Sequence, residues 1–277
     1  SDVCSSDLVR ILDRCSAIPQ LARLLQIELI LIAVPSATAE QMRAMVEYCE
    51  KAQVRFRTLP KVQDILDGTA SSADLRSVEL DDLLGREPVD LDWNAMSKMV
   101  KGRRILITGG AGSIGSELCR QVARLEPVTV VLIEQNEFSL YSLSLELEER
   151  FPEITFHRLL GDVCDRQSLR FIFDEYRPEI VFHAAAYKHV PMLQDQVRET
   201  IRNNTFGTIA VAEAAIELGV EKMVLISTDK AVNPSSMMGV SKRLAEIVGQ
   251  LNNDRSATRF ITVRFGNVLG SAGSVVP

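Results

Sequence analysis

The sequence predicts an α/β protein in which a doubly wound parallel sheet follows a smaller, partial α/β domain. From Arg103 onward, short apolar strands alternate with helix-length segments, the order that builds a parallel sheet covered on both faces. Those strands are rich in Val, Ile and Leu without polar alternation, as burial on both faces demands. Upstream, the run from Ile27 to Pro60, IELILIAVPSATAEQMRAMVEYCEKAQVRFRTLP, reads as strand, Ser/Thr turn, helix and strand, with Met42, Met45, Val46 and Cys49 at helical spacing.

Taken in order, residues 1–8, SDVCSSDL, read as an adapter-derived artefact, which puts the true N-terminus outside the chain. Residues 9–68 form the partial α/β domain, opened by a helix in IPQLARLLQ. Residues 69–102 are a polar, acidic connector ending in a helix around Trp93 to Val100. Its acids Glu79, Asp81 and Asp82 read as a solvated edge rather than a metal site. Residues 103–277 carry the strands RILIT, VTVVLI, TFHRL, EIVFHAAA, KMVLIS and FITVRF.

Composition narrows the function. At 46% apolar and 25% charged residues over 277 positions, the chain can bury a core and is not disordered. A net charge of −6 without a long Lys/Arg run excludes a nucleic-acid or anionic-membrane surface. Cys4, Cys15, Cys49, Cys119 and Cys164 make no CxxC pair and are expected as reduced, buried, inert thiols. Three dispersed histidines suggest no metal site; His183 reads as a packed strand residue. No apolar run reaches the roughly 18 residues that span a bilayer.

TGGAGSIGSE follows the first of the later strands directly. It spaces Gly109, Gly112 and Gly115 ahead of a helix, with Ser113 and Ile114 inside the loop. A tight turn, close approach of N–H groups to a pyrophosphate and near contact of helix with strand each exclude a side chain, and the helix N-terminus favours negative charge. This is the signature of a Rossmann-type dinucleotide site. Glu134 ends the second strand, nineteen residues beyond Gly115, where a carboxylate can accept from ribose hydroxyls and would repel a 2′-phosphate. NAD is therefore expected rather than NADP. Asp162 and Val163 are expected to meet the adenine, and Ala184 and Ala185 to leave room for the cofactor at the fourth strand end.

TGGAGSIGSE, HAAAYKHVP, NNTFGT, STDKAVNPSSMMGVSK and RFGNVLGSAGSV together resemble the extended short-chain dehydrogenase/reductases, and more narrowly the UDP-N-acetylglucosamine 4,6-dehydratases of polysaccharide and glycan biosynthesis. DLLGREPV resembles the connector of the large, membrane-anchored members. The resemblance implies oxidation of the sugar at C4 by NAD, loss of water across C5 and C6, and return of the hydride to C6. It also implies a UDP-sugar substrate, a homo-oligomer, and a parent held at the cytoplasmic face of the bacterial inner membrane through a missing N-terminal region. The segment that closes the sugar-nucleotide pocket in the family is missing beyond GSAGSVVP.

Carried onto this sequence, the resemblance makes Asp229 the acid for the C6 hydroxyl, Lys230 the base for C5 and Thr228 a partner of O4. Asp229 would then need a raised pKa and Lys230 a lowered one. Met238 and Lys242, four apart, share a helix face as the Tyr and Lys of YxxxK do, but a thioether cannot take a proton from the C4 hydroxyl. A nonfunctional relative, a replacement base or a shifted alignment would each explain Met238. Methionine in the same motif of the membrane-anchored members favours a replacement, with Thr228 linked through water or the cofactor ribose to Lys242. Lys242 would also hold the nicotinamide ribose. Lys188 is expected to meet the substrate diphosphate or sugar, Asn204 to fix the active-site helix or position substrate, and Asn267, ahead of Arg264, to approach the sugar nucleotide. A sugar-nucleotide epimerase or reductase, and a noncatalytic NAD-binding sensor, are the rival readings.

Overall fold

The computed structural model describes residues 12–34, 37–59, 92–266 and 268, and the chain divides into two compact units, residues 1–90 and 91–277. The expectations for residues 1–8, the acids at 79, 81 and 82, DLLGREPV and Asn267 fall outside the described residues.

The first unit contains α1 (Ile18–Leu24), β1 (Leu29–Ile32), α2 (Ala39–Ala52) and β2 (Arg55–Thr58). A capping box starts α2: the Gln41 N–H donates to Thr38 Oγ1 and the Thr38 N–H to Gln41 Oε1. The strands pair in parallel, and Met42, Val46 and Cys49 pack against Ile32 in the expected strand-helix-strand order.

The second unit begins with α3 (Trp93–Val100), capped by the Asp92 carboxylate on the Ala95 N–H. Val100 packs with Ile105 and Cys119, so the helix expected to close the connector belongs to this unit's core. Six described strands follow: β3 (Arg104–Thr108), β4 (Thr129–Glu134), β5 (Thr155–Leu160), β6 (Ile180–His183), β7 (Lys222–Thr228) and β8 (Arg259–Phe265). All pair in parallel in the order 5-4-3-6-7-8. The helices are α4 (Ser113–Ala123), α5 (Glu137–Arg150), α6 (Arg166–Tyr176), α7 (Val190–Asp195), α8 (Val197–Ile201), α9 (Gly207–Glu217) and α10 (Met237–Asn253), with a π-turn at Arg202–Phe206. Strand order reverses between β3 and β6, which opens a crevice at their carboxyl ends.

Alternate residues of β3 explain the missing polar alternation. Leu106 packs with Val131, Val181, Phe173 and Val211 on one face, while Ile105 and Ile107 pack with Val130, Leu132, Leu143 and Leu147 on the other. Full burial of each such side chain contributes about 1.5–3 kcal/mol.

Two expectations change. EIVFHAAA was expected as strand throughout, but β6 spans only Ile180–His183; beyond it, the Asn204 side chain holds the backbone of Tyr187, accepting from its N–H at 2.8 Å and donating to its carbonyl at 3.0 Å. Of the thiols, Cys49 and Cys119 are buried, but Cys15 is exposed and Cys164 only partly covered. Among the described residues, no helix is long and apolar enough to cross a membrane and no cluster of His, Cys, Asp or Glu could hold a metal ion.

Candidate active site

The site is assembled from loops that follow β3 through β8. The first loop is shaped by close approach: Gly109 has φ +65°, and a Cβ on Gly115 would stand 1.9 Å from the Gly109 carbonyl oxygen. The start of α4 therefore rests on the end of β3, and its first residues, Gly112 to Gly115, line an open space where a helix N-terminus favours an anion such as a diphosphate. Glu134 braces this loop, accepting from the N–H groups of Ala111, Gln135 and Asn136 at 3.3, 2.9 and 3.1 Å. A carboxylate offers about four lone-pair sites, so capacity remains for a ligand hydroxyl.

A groove runs along the carboxyl edge of the sheet. On the β4–β5 side it is lined by Gly109, Gly112, Glu134, Val163, Ala184 and Ala185. Its middle is lined by Gly112, Ser113, Ile114, Gly115, Ala184 and Lys188. It ends in a cavity of about 400 Å³ beside Lys188, Thr228, Lys230, Met238, Lys242 and Phe265. Tyr187 and His189, for which no role was expected, also line this cavity.

Three expected site residues are engaged elsewhere. Asp162 does not line the groove; its carboxylate accepts from the Cys164 N–H at 2.8 Å and from Arg202 at 2.7 Å. Asn204 is 1% exposed, and besides holding Tyr187 it donates to Ser241 Oγ on α10 at 3.0 Å. Of its two expected roles, fixing the active-site helix is the one its contacts serve. Arg264 turns from the cavity to clasp Glu246, through Nε at 2.8 Å and Nη2 at 2.6 Å.

The Thr228–Lys230 turn lies where β7 ends. Thr228 donates its hydroxyl proton to Asp229 Oδ1 at 2.9 Å and accepts from the Lys230 N–H at 3.3 Å, while Lys230 Nζ stands 3.2 Å from the same carboxylate oxygen. Asp229 is held below its ordinary pKa, first by the Thr228 hydroxyl and then by Lys230. The raised pKa expected of an acid is not present, because the side chain is 56% exposed and burial does little to oppose its charge. Helix α10 starts against this turn, since a Cβ on Gly239 would meet the Lys230 carbonyl at 2.3 Å.

Met238 and Lys242 share the buried face of α10, each 5% exposed. The Lys242 ammonium donates to the Ile226 carbonyl at 2.6 Å. Burial pushes its pKa down to about 8, opposed by the charge of Glu246. His183 is fully enclosed between the Thr108 and Thr208 hydroxyls at 2.7 and 2.9 Å, and burial followed by the Lys242 charge lowers its pKa to about 3. It is a neutral, packed imidazole, as expected.

The residue that sequence reasoning missed is Glu246, one turn beyond Lys242 on the buried face of α10. Its spacing of four from Lys242 and eight from Met238 was the available signal.

The family model described as "Polysaccharide biosynthesis protein" matches residues 105–277. The capsular polysaccharide biosynthesis protein CapD of Staphylococcus aureus is 44% identical over 262 residues, 94% of this chain and 44% of that protein. An inverting UDP-N-acetylglucosamine 4,6-dehydratase of Campylobacter jejuni is 34% identical over 183 residues, covering 65% of this chain and 53% of the relative. A UDP-glucose 4-epimerase of Rickettsia bellii is 34% identical over 188 residues, with the same two coverages of 65% and 53%. The chain thus spans about half the length of these relatives.

Proposed function

This chain belongs to the polysaccharide biosynthesis protein family, and from that premise we propose that it is the NAD-binding, catalytic part of a sugar-nucleotide 4,6-dehydratase acting on a UDP-N-acetylhexosamine, with UDP-N-acetylglucosamine the expected substrate. The observation that carries this reading is the Thr228–Asp229–Lys230 turn beside a cavity shared with Met238 and Lys242. The related dehydratase and epimerase are equally similar overall, so identity does not choose between them. The turn favours dehydration: elimination needs an acid for the leaving C6 hydroxyl and a base for the C5 proton, and Asp229 and Lys230 would supply both.

The glycine cradle at the start of α4, the spare capacity of Glu134 and the small side chains of Ala184 and Ala185 fit NAD, with Ser113 and Ile114 beside the diphosphate, Val163 against the adenine and Lys242 at the nicotinamide ribose. NAD, when bound, takes the hydride from C4 and returns it at C6.

The lowered pKa of Asp229 gives the proton bookkeeping a definite order. Asp229 is a carboxylate at rest and already receives the Thr228 hydroxyl proton. A substrate O4–H donating to Thr228 would pass its proton to Asp229 as C4 is oxidised, which makes the missing tyrosine unnecessary. Protonated Asp229 then holds the proton that the C6 hydroxyl needs on leaving, while Lys230 removes the proton from C5 and returns it when C6 is reduced. Lys188, which lines the same cavity, would meet the substrate diphosphate or sugar. A homo-oligomer is supported by Leu244, Ile247 and Leu251, left exposed along α10.

Two measurements address this function. The full-length protein with NAD is expected to convert UDP-N-acetylglucosamine into a product lighter by one water in the mass spectrum; an isobaric epimer would assign epimerisation, and bound NAD without turnover would assign a sensor. Separately, NAD affinity is expected to weaken as pH rises through about 8, where Lys242 loses its proton, and K242M is expected to bind weakly without that step. An affinity flat across this range would remove Lys242 from the cofactor site.

A further inference from the structure

We propose that Glu246 is a positioning residue, a buried carboxylate that fixes the catalytic turn, the lysine-bearing helix and the end of the last described strand in one arrangement. The inference deepens the dehydratase reading and rests on it for the turnover it affects, though not for the geometry.

Glu246 is 1% exposed and does not line the cavity. Its Oε1 accepts from Ser227 Oγ at 2.6 Å and Arg264 Nε at 2.8 Å, and its Oε2 from Arg264 Nη2 at 2.6 Å and Arg243 Nη1 at 2.9 Å. These contacts reach β7 and β8, two of the strands whose ends carry the site. Ser227 immediately precedes Thr228, Asp229 and Lys230, and Arg264 immediately precedes Phe265 and Gly266, which line the cavity. On the helix itself, Lys242 lies one turn before Glu246 and donates to Ile226, the neighbour of Ser227.

A buried carboxylate is costly unless fully partnered, and an apolar side chain would hold a helix to a sheet at less cost. What the carboxylate adds is direction, because a bidentate guanidinium pair and a short hydroxyl bond fix orientation as well as distance. By contrast, Arg170–Glu217 and Arg166–Glu213 join exposed side chains of α6 and α9. Arg264 holds Glu246 ionised, its pKa down to about 2, with Ser227 and Arg243 adding to the effect.

The test uses E246Q in the full-length protein with NAD, read by turnover and by hydrogen exchange. The expected kcat is lower by about a hundredfold, the cost of a misplacement near 1 Å, with KM and NAD affinity kept within about threefold. Amide exchange is expected to accelerate at residues 228–232 and 264–266 while the glycine loop at residues 109–115 stays unchanged. A kcat equal to wild type, or exchange that is unaltered or faster everywhere, would overturn the proposal. Should E246Q fail to fold, R264K takes its place, since it retains the charge but loses the bidentate geometry. It is expected to show the same split and the same local exchange pattern, and unchanged values for both would overturn the proposal equally. Wild-type protein without dehydratase activity would sink the functional reading alone; the exchange pattern then decides the role of Glu246.

Discussion

Asp229→Asn in the full-length protein is expected to lower kcat for dehydration by about 10³-fold while leaving NAD affinity within about twofold. The expectation follows from two duties falling on one carboxylate. In the proposed mechanism Asp229 first receives the proton released at O4, through the Thr228 hydroxyl that donates a hydrogen bond to it at 2.9 Å, and then delivers a proton to the leaving C6 hydroxyl. Asparagine keeps the size and the contact but can neither accept nor deliver that proton. The pH profile sharpens this. A pKa held below the ordinary carboxylate range leaves Asp229 ionised down to unusually low pH, so the acid limb of kcat/KM attributable to it should lie below the usual aspartate value. Stopped-flow absorbance of the reduced nicotinamide separates the two duties: D229N should slow both its appearance and its decay. If only the decay slows, Asp229 serves as the acid alone and another group takes the first proton.

The second large effect is expected at Gly115. In Gly115→Ala the new Cβ would sit 1.9 Å from the Gly109 carbonyl oxygen and within 2.9 Å of the Gly110 Cα, all backbone atoms that cannot rotate away. The loop cannot retreat, because Gly109 itself packs within Cβ range of the Ala185 backbone on the opposite side. Cofactor affinity should fall by at least about a hundredfold, or about 2.7 kcal/mol, in a fluorescence titration with NAD. Thermal unfolding monitored beside it should remain cooperative, since α4 still buries Cys119, Val122 and Ala123. Retained affinity would show that the cradle at the start of α4 is not where the diphosphate binds.

Much of this was legible in the sequence wherever one physical constraint governs a run of residues. The strands β3 and β4 had to be apolar on both faces, so RILIT and VTVVLI reveal them almost to the residue. The glycine spacing reveals the cradle because each glycine has its own steric reason to be there, and the four-residue separation of Met238 and Lys242 places them on one helix face whatever the tertiary packing. Illegible were the features set by partners distant in the chain. Arg264 looked like a ligand for the sugar nucleotide because nothing nearby reveals that Glu246, eighteen residues earlier, holds it. The path of the backbone at Tyr187 depends on Asn204, and the fate of Asp162 on Arg202. The pKa of Asp229 was expected in the wrong direction although its partners, Thr228 and Lys230, are its sequence neighbours. Its value depends on exposure and on the conformation of the turn, which the letters Thr-Asp-Lys do not encode.

The most direct test of the central claim follows one atom. UDP-N-acetylglucosamine carrying deuterium at C4 is incubated with the full-length protein and NAD in ordinary water, and the product is examined by NMR. The account predicts a 4-keto-6-deoxy sugar nucleotide with the deuterium in its C6 methyl group and a proton at C5. Deuterium retained at C4, in an epimer or in unchanged substrate, would contradict it.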